Sequence, residues 1–366
     1  MLVSPLVGEN SPLDKRSQDI LSSLIQASSE RVRTLPSDDP CDEKRYARVK
    51  YTLEEMNKQK EAIRSTLETE QQAIRAVADA VSKKDIDHIY MVGCGDSLFS
   101  MLGVRSFLER ILEVPCEPMQ ALDFAYYNSH LVKEKTMVIT LSSSGKTPRT
   151  MEAQFVARKK GATTIALTNT MGTPMMEAAD PSLYIPADRK GWRTQSRTAA
   201  MAILYQLGFE IVKQRDQQIE WLSNLEAEFQ ATVDLINPVL DDLEGLIAPI
   251  AKKEAANDLF LFAGGGPAFT CASFGAAKTK ELTSSHAIAI PLEEYHHYRS
   301  QKRGEPLFLV APQGYSTIRA RDTGIKGLEN GGHVYAIVTK GDHTLDGCYT
   351  QRLDLPVINE LFAPLI

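Results

Sequence analysis

Short, uninterrupted apolar runs alternate with longer stretches of helical periodicity along most of the chain. Runs of the first kind lie at residues 89–92, 137–141 and 164–167, and again at 259–262, 307–311 and 334–337. Continuous apolar runs suit strands covered on both faces, as in a parallel sheet, whereas half-exposed strands alternate. The two sets are copies: Ile89 and Leu259, Met137 and Leu307, and Thr164 and Val334 each stand 170 positions apart, as do Gly161 and Gly331. Three matches at one offset predict a duplicated unit. Strand–helix alternation with short connections predicts an α/β fold, two doubly wound parallel sheets in tandem behind an N-terminal helical extension.

The expected divisions are an extension or linker over residues 1–50, a first unit over 51–215 and a second over 216–366. Residues 51–82 carry Leu53, Met56, Ile63, Leu67, Ile74, Val77 and Val81 at helical spacing, and residues 224–246 share that amphipathic look. Both are candidates to pack on a domain or on a partner subunit. The first 40 residues read as a helix plus a polar linker around 36–40.

Composition narrows the class. With 43% hydrophobic and 24% charged residues, the chain is globular. A net charge of -6 argues against nucleic acid or an anionic membrane as the main partner. Five scattered cysteines without CxxC spacing suit a reducing cytosol and give no support for zinc or a disulfide framework. No signal peptide is recognisable at the N-terminus, and no apolar stretch approaches 18 residues. A cytoplasmic protein is expected, with no cofactor and no metal.

In doubly wound sheets ligands sit beyond the carboxyl ends of the strands. There the second run of copy one leads into Ser142-Ser143-Ser144-Gly145-Lys146-Thr147, and a helical stretch follows. Hydroxyls and backbone N–H groups at a helix start can hold a phosphate, and Lys146 and Arg149 could add charge. A Ser-rich N-cap is the plainer alternative. The corresponding turn of copy two, Pro312-Gln313-Gly314-Tyr315, has lost the hydroxyls, whereas a purely structural cap would tend to survive in both. The first run ends in Gly93-Cys94-Gly95-Asp96-Ser97, where Ser97 offers one more hydroxyl. Neither turn is a dinucleotide or Walker fingerprint. Lys278 and Glu281, three apart, share a helix face. Unaided, such a pair reads as a solvated helix end, and His296-His297 as surface decoration without HExxH spacing.

Taken in order, the Gly-Cys-Gly-Asp-Ser turn, the Ser-Ser-Ser-Gly-Lys-Thr loop, and Lys278 to Glu281 followed by Glu294-Tyr295-His296-His297 resemble the SIS (sugar isomerase) domain family. The tandem layout resembles the isomerase half of glucosamine-6-phosphate synthase and the fructosamine-6-phosphate deglycases. The resemblance implies that Ser97, Ser142, Ser144 and Thr147 hold the sugar's phosphate and that Ser196 contacts substrate. It implies Glu281 as general base, His297 as the group that opens the ring or shuttles protons, and Lys278 as a charge beside a developing oxyanion.

Departures from the family pattern are visible. His297-Tyr298-Arg299 replaces His-Gly-Pro, Asp96 stands where small or hydroxyl residues are common, and Lys146 replaces an acidic residue. The synthase's C-terminal lysine has no match in residues 361–366. Its N-terminal glutaminase has no counterpart either, Leu2 standing where that domain has its cysteine, so no ammonia from glutamine is expected.

An enzyme is therefore expected, a deglycase that releases an amino acid and glucose 6-phosphate through an enaminol. The alternatives are an aldose–ketose or amino-sugar phosphate isomerase or deaminase, and a non-catalytic sugar-phosphate sensor. The expected ligand is a phosphorylated sugar or sugar–amino acid conjugate, bound by a homodimer or higher homo-oligomer because SIS sites are often completed by a second subunit.

Overall fold

Ten strands build two five-stranded, wholly parallel sheets. The first contains β1 (His88–Gly93), β2 (Cys116–Gln120), β3 (Thr136–Leu141), β4 (Thr163–Thr168) and β5 (Ser182–Tyr184). The second contains β6 (Leu259–Gly264), β7 (His286–Pro291), β8 (Pro306–Ala311), β9 (His333–Thr339) and β10 (Gln351–Leu355). Strand order is β2-β1-β3-β4-β5 in one and β10-β9-β8-β6-β7 in the other, the same doubly wound arrangement twice. The computed structural model describes residues 4–35, 39, 41–179, 181–215, 221–298 and 300–366. The polar linker expected around 36–40 (apart from Asp39), Arg299 and the expected unit boundary at 216–220 lie outside the described residues.

β3 and β4 are buried at every position, as their continuous apolar runs require. The strands that the apolar pattern misses, β2, β5, β7 and β10, are the outer strands of the two sheets. Their burial alternates or is partial, so no continuous run marks them. The repeat offset also needs one correction. β3 and β8 correspond at 170, but the ends of β1 and β6 correspond at 171. Gly95 and Gly266 begin the following helices with nearly identical dihedrals, φ 56°, ψ −129° and φ 54°, ψ −132°.

The single helical region expected over 51–82 is three helices, Glu43–Met56, Gln59–Thr69 and Gln71–Ser82, broken at Asn57-Lys58 and Glu70. Ile63, Ile74, Val77 and Val81 bury their apolar faces in the core of the first sheet. Helix Lys15–Val32 is likewise seated, with Leu21 and Leu24 in the core on the sheet's other face. The stretch 224–246 belongs to a 33-residue helix, Leu222–Glu254, that joins the units. Its Leu225, Phe229, Val233 and Ile236 enter the first core, and Ile250 lies against β9 and β10.

The units meet along helices Asp96–Leu112 and Pro267–Leu282, where Phe99 and Phe274 pack edge to face with centroids 5.9 Å apart. The chain's last turn, Glu360–Leu365, returns to the first unit. There Phe362 is fully buried among Phe107, Tyr205 and Phe229, and the Tyr205 hydroxyl donates to the Leu361 carbonyl at 2.7 Å. The helix contact sets the carboxyl ends of β1 and β3 beside the end of helix Pro267–Leu282.

Candidate active site

The loop after β3 turns tightly: Gly145 N–H donates to the Ser142 carbonyl at 3.0 Å, with Gly145 at φ 60°. A Cβ there would stand 2.3 Å from the Thr173 hydroxyl, so glycine is required both by conformation and by space. Thr147 occupies the N-cap of helix Pro148–Lys159, with Pro148 at the first helical position, yet its side chain makes no capping hydrogen bond. The Thr147 hydroxyl lies instead 2.8 Å from that of Ser142, which is 3.4 Å from that of Ser144. Three hydroxyls thus gather at the positive end of a twelve-residue helix without serving it as a cap. The supplementary charge expected of Arg149 is spent elsewhere, since its guanidinium pairs with the fully buried Glu152 carboxylate at 2.6 Å.

Ser97 is buried in the first turn of helix Asp96–Leu112. Its hydroxyl accepts from Arg197 Nη1 at 3.1 Å, while Arg197 Nη2 donates to the Ser143 hydroxyl at 2.7 Å. One buried guanidinium therefore ties the β1 turn to the β3 loop. Burial, helped by the positive charge of Arg193, lowers the Arg197 pKa to about 10, against the opposing pull of Asp96 and Glu281. Ser196 is fully buried and its hydroxyl has no hydrogen-bond partner. Arg193 Nε, Thr194 Oγ1 and Arg197 Nε are also buried and unpartnered. These buried polar atoms, gathered in one short segment beside the β3 loop, make 193–197 a candidate substrate-contacting stretch.

On the facing wall, Lys278 Nζ donates to Asp96 Oδ2 at 2.7 Å and to the Glu281 carboxylate. The Asp96 carboxylate is thus turned to a lysine. Glu281, Asp96 and Arg197 border one cavity of about 580 Å³ that Arg48, Trp192, Arg193 and Lys280 complete, and Lys278 pairs with two of its carboxylates. His297 is not brought there. It stands on the short helix Leu292–His297, 61% exposed, with Nε2 3.5 Å from Glu293 Oε1. Glu293 borders a different cavity with Gly265 and Arg319.

Sequence reasoning missed Arg48, Ser143, Trp192, Arg193 and Arg197. One signal was present: Arg189, Arg193 and Arg197 recur every fourth residue. Among the described residues, no group of three or more His, Cys, Asp or Glu side chains is placed to hold a metal. Nor is any helix there long and apolar enough to cross a membrane.

The SIS domain family matches residues 83–209, a stretch that contains the whole first sheet. That match covers the first unit, and the second unit repeats its doubly wound strand order. The chain is 28% identical over 299 residues to a glutamine–fructose-6-phosphate aminotransferase (isomerizing) of Corynebacterium diphtheriae, covering 79% of this chain and 47% of that protein. The corresponding protein of Thermococcus kodakarensis is 26% identical over 323 residues, covering 86% and 52%. The chain thus spans about half the length of the curated relatives it matches. Among solved structures, the C-terminal domain of the Francisella tularensis glucosamine-fructose-6-phosphate aminotransferase superposes with a TM-score of 0.77 at 21% identity, covering 86% of this chain and 91% of that one.

Proposed function

We propose that this protein is a fructosamine-6-phosphate deglycase, an enzyme that converts an Amadori-type sugar phosphate and water into glucose 6-phosphate and an amino acid. The observation that carries the proposal is the continuity of the site. The hydroxyl cluster of Ser142, Ser144 and Thr147 is linked through Arg197 and Ser97 to the cavity that holds Glu281. In this assignment the loop and Ser97 anchor the phosphate at C6, and the sugar's C1 and C2 reach Glu281.

The Glu281 carboxylate takes a proton from C1, and the electron pair forms the C1–C2 double bond of an enaminol as the C2 carbonyl oxygen gains a proton. Reprotonation at C2 leaves an imine between C1 and nitrogen. Water adds to C1 and the amine departs, which restores an aldehyde at C1. In this assignment Lys278 stabilises negative charge on the C2 oxygen in the first step, and its ammonium pairs with Asp96. His297 takes part in ring opening only when a second copy of the chain carries it to Glu281, in keeping with the proposed homo-oligomer. An aldose–ketose or amino-sugar phosphate isomerase would use the same base. The cavity of about 580 Å³ beside Glu281 leaves room for a substituent on the C1 nitrogen and favours the deglycase.

The test is a coupled assay of glucose 6-phosphate release from phosphorylated fructose–amino acid conjugates, run beside hexosamine and hexulose phosphates. Removing a general base costs about 10²–10⁴ in rate. Glu281→Gln is expected to lose turnover on that scale and to keep sugar-phosphate binding. Full activity in Glu281→Gln would overturn the mechanism, and tight binding without turnover of any phosphosugar would indicate a sensor.

A further inference from the structure

The cavity beside Glu281 has a positively charged wall that phosphate anchoring leaves unexplained. Helix Glu43–Met56 lies outside the SIS match and reaches across the cavity. Its Arg48 guanidinium stacks 3.4 Å from the centre of the Trp192 ring. The helix is clamped there: the Glu55 carboxylate accepts from Gly191 N–H at 3.0 Å, and the Thr52 hydroxyl accepts from Trp192 N–H at 2.7 Å. Arg193 follows directly in the chain and lines the same cavity.

Among the described residues, neither Arg48 nor Arg193 forms an ion pair, and Arg193 Nε is buried without a partner. Burial and then the Arg193 charge disfavour the Arg48 cation, and the carboxylates Glu281 and Glu55 oppose them. Two half-buried guanidinium groups on one cavity wall, neither in an ion pair, make an arrangement of concentrated positive charge. A carboxylate suits it, because a guanidinium fork offers two parallel donors matched to its two oxygens. Both arginines belong to the 580 Å³ cavity at Glu281, whereas the phosphate hydroxyls lie past Arg197 in the β3 loop.

We infer that Arg48 and Arg193 form a subsite for a carboxylate on the amine portion of the substrate. Helix Glu43–Met56 thereby helps to select sugar phosphates whose C1 nitrogen belongs to an amino acid. The inference rests on the deglycase assignment for the substrate's chemistry, but not for the existence of the subsite.

The test uses non-reactive ligands in the full-length protein: 1-amino-1-deoxyglucitol 6-phosphates N-substituted by a carboxymethyl group or by the neutral carbamoylmethyl group, titrated calorimetrically. The wild type is expected to prefer the carboxylate by about 30-fold or more, the scale of a charge-assisted bidentate contact. Arg48→Met and Arg193→Met should each bring the ratio of the two affinities towards one. Arg48→Lys should recover only part of it, since an ammonium lacks the fork. Because the ratio is internal to each variant, a general loss of folding does not mimic the effect.

Equal affinity of the wild type for both ligands would overturn the subsite, whatever the enzyme does with its substrate. So would a carboxylate preference that survives in both methionine variants. A preference that disappears in the variants, in a protein that turns over no fructosamine 6-phosphate, would uphold the subsite and overturn the deglycase.

Discussion

Arg197 gives up its hydration to stand between two serine hydroxyls, with no carboxylate in direct contact. A buried charge held only by neutral acceptors and distant counter-charges is costly to the fold, and a well-packed apolar residue of similar volume is often neutral or stabilising in its place. The same charge is well used when a phosphate dianion arrives. Arg197→Met is therefore expected to leave the melting temperature unchanged or raise it, while sugar-phosphate affinity falls by about 100-fold. Calorimetry of the variant with and without ligand checks both; lost affinity accompanied by a marked drop in melting temperature would show a structural role instead. This residue also shows where sequence reasoning stopped. Ser97, Ser142, Ser144 and Thr147 were legible because hydroxyls crowded at strand ends are unusual. Arg197 sits in the first turn of helix Gln195–Gln214, whose following residues are almost all apolar, and only tertiary folding reveals that it points to the β3 loop.

The β3 loop and its counterpart after β8 show how one element serves two ends. In the first copy the hydroxyls face one another and leave the helix uncapped by side chains. In the second the same turn is closed by its own chain, because the Glu360 carboxylate accepts from Tyr315 N–H at 3.1 Å. A Cβ on Gly314 would fall on that carboxylate. An acidic side chain thus takes the place next to the turn that an anionic ligand would need. Loss of the three serines from the second copy was readable in the sequence, although Thr317 keeps the hydroxyl of Thr147 and accepts from Gly314 N–H. The occupant of the turn, 45 residues away, was not readable. Thr147→Val separates capping from binding. An ordinary N-cap threonine contributes about 1 kcal/mol to stability, but this one makes no capping bond. The variant should lose less than about 0.5 kcal/mol in denaturant unfolding and bind phosphosugar about tenfold more weakly. A stability loss of a full N-cap with unchanged affinity would restore the plain capping role.

At the scale of the whole molecule, the contact between helices Asp96–Leu112 and Pro267–Leu282 is what joins the β1 turn of one unit to Lys278 and Glu281 of the other. The sequence expectation that copy one supplies the hydroxyls and copy two supplies Glu281 came from the repeat. The placement of His297 did not follow from it. Sixteen residues after Glu281, the chain has run along β7 and into helix Leu292–His297, which packs beside helix Thr317–Glu329 rather than at the cavity. The exposed imidazole and the enclosed carboxylate therefore belong to different faces of one chain. If both act in one reaction, each site of a twofold dimer takes Glu281 from one chain and His297 from the other. Subunit mixing follows from that geometry. Glu281→Gln and His297→Asn homodimers are each expected to be nearly inactive, but a mixed dimer carries one site with both residues intact. Random exchange of equal amounts should restore roughly a quarter of wild-type turnover, because about half the dimers are mixed and half of their sites are complete. No recovery after verified exchange would mean that His297 does not reach Glu281 from a second copy. Normal turnover by His297→Asn alone would remove the histidine from the mechanism and leave Glu281, Lys278 and Asp96 to carry it.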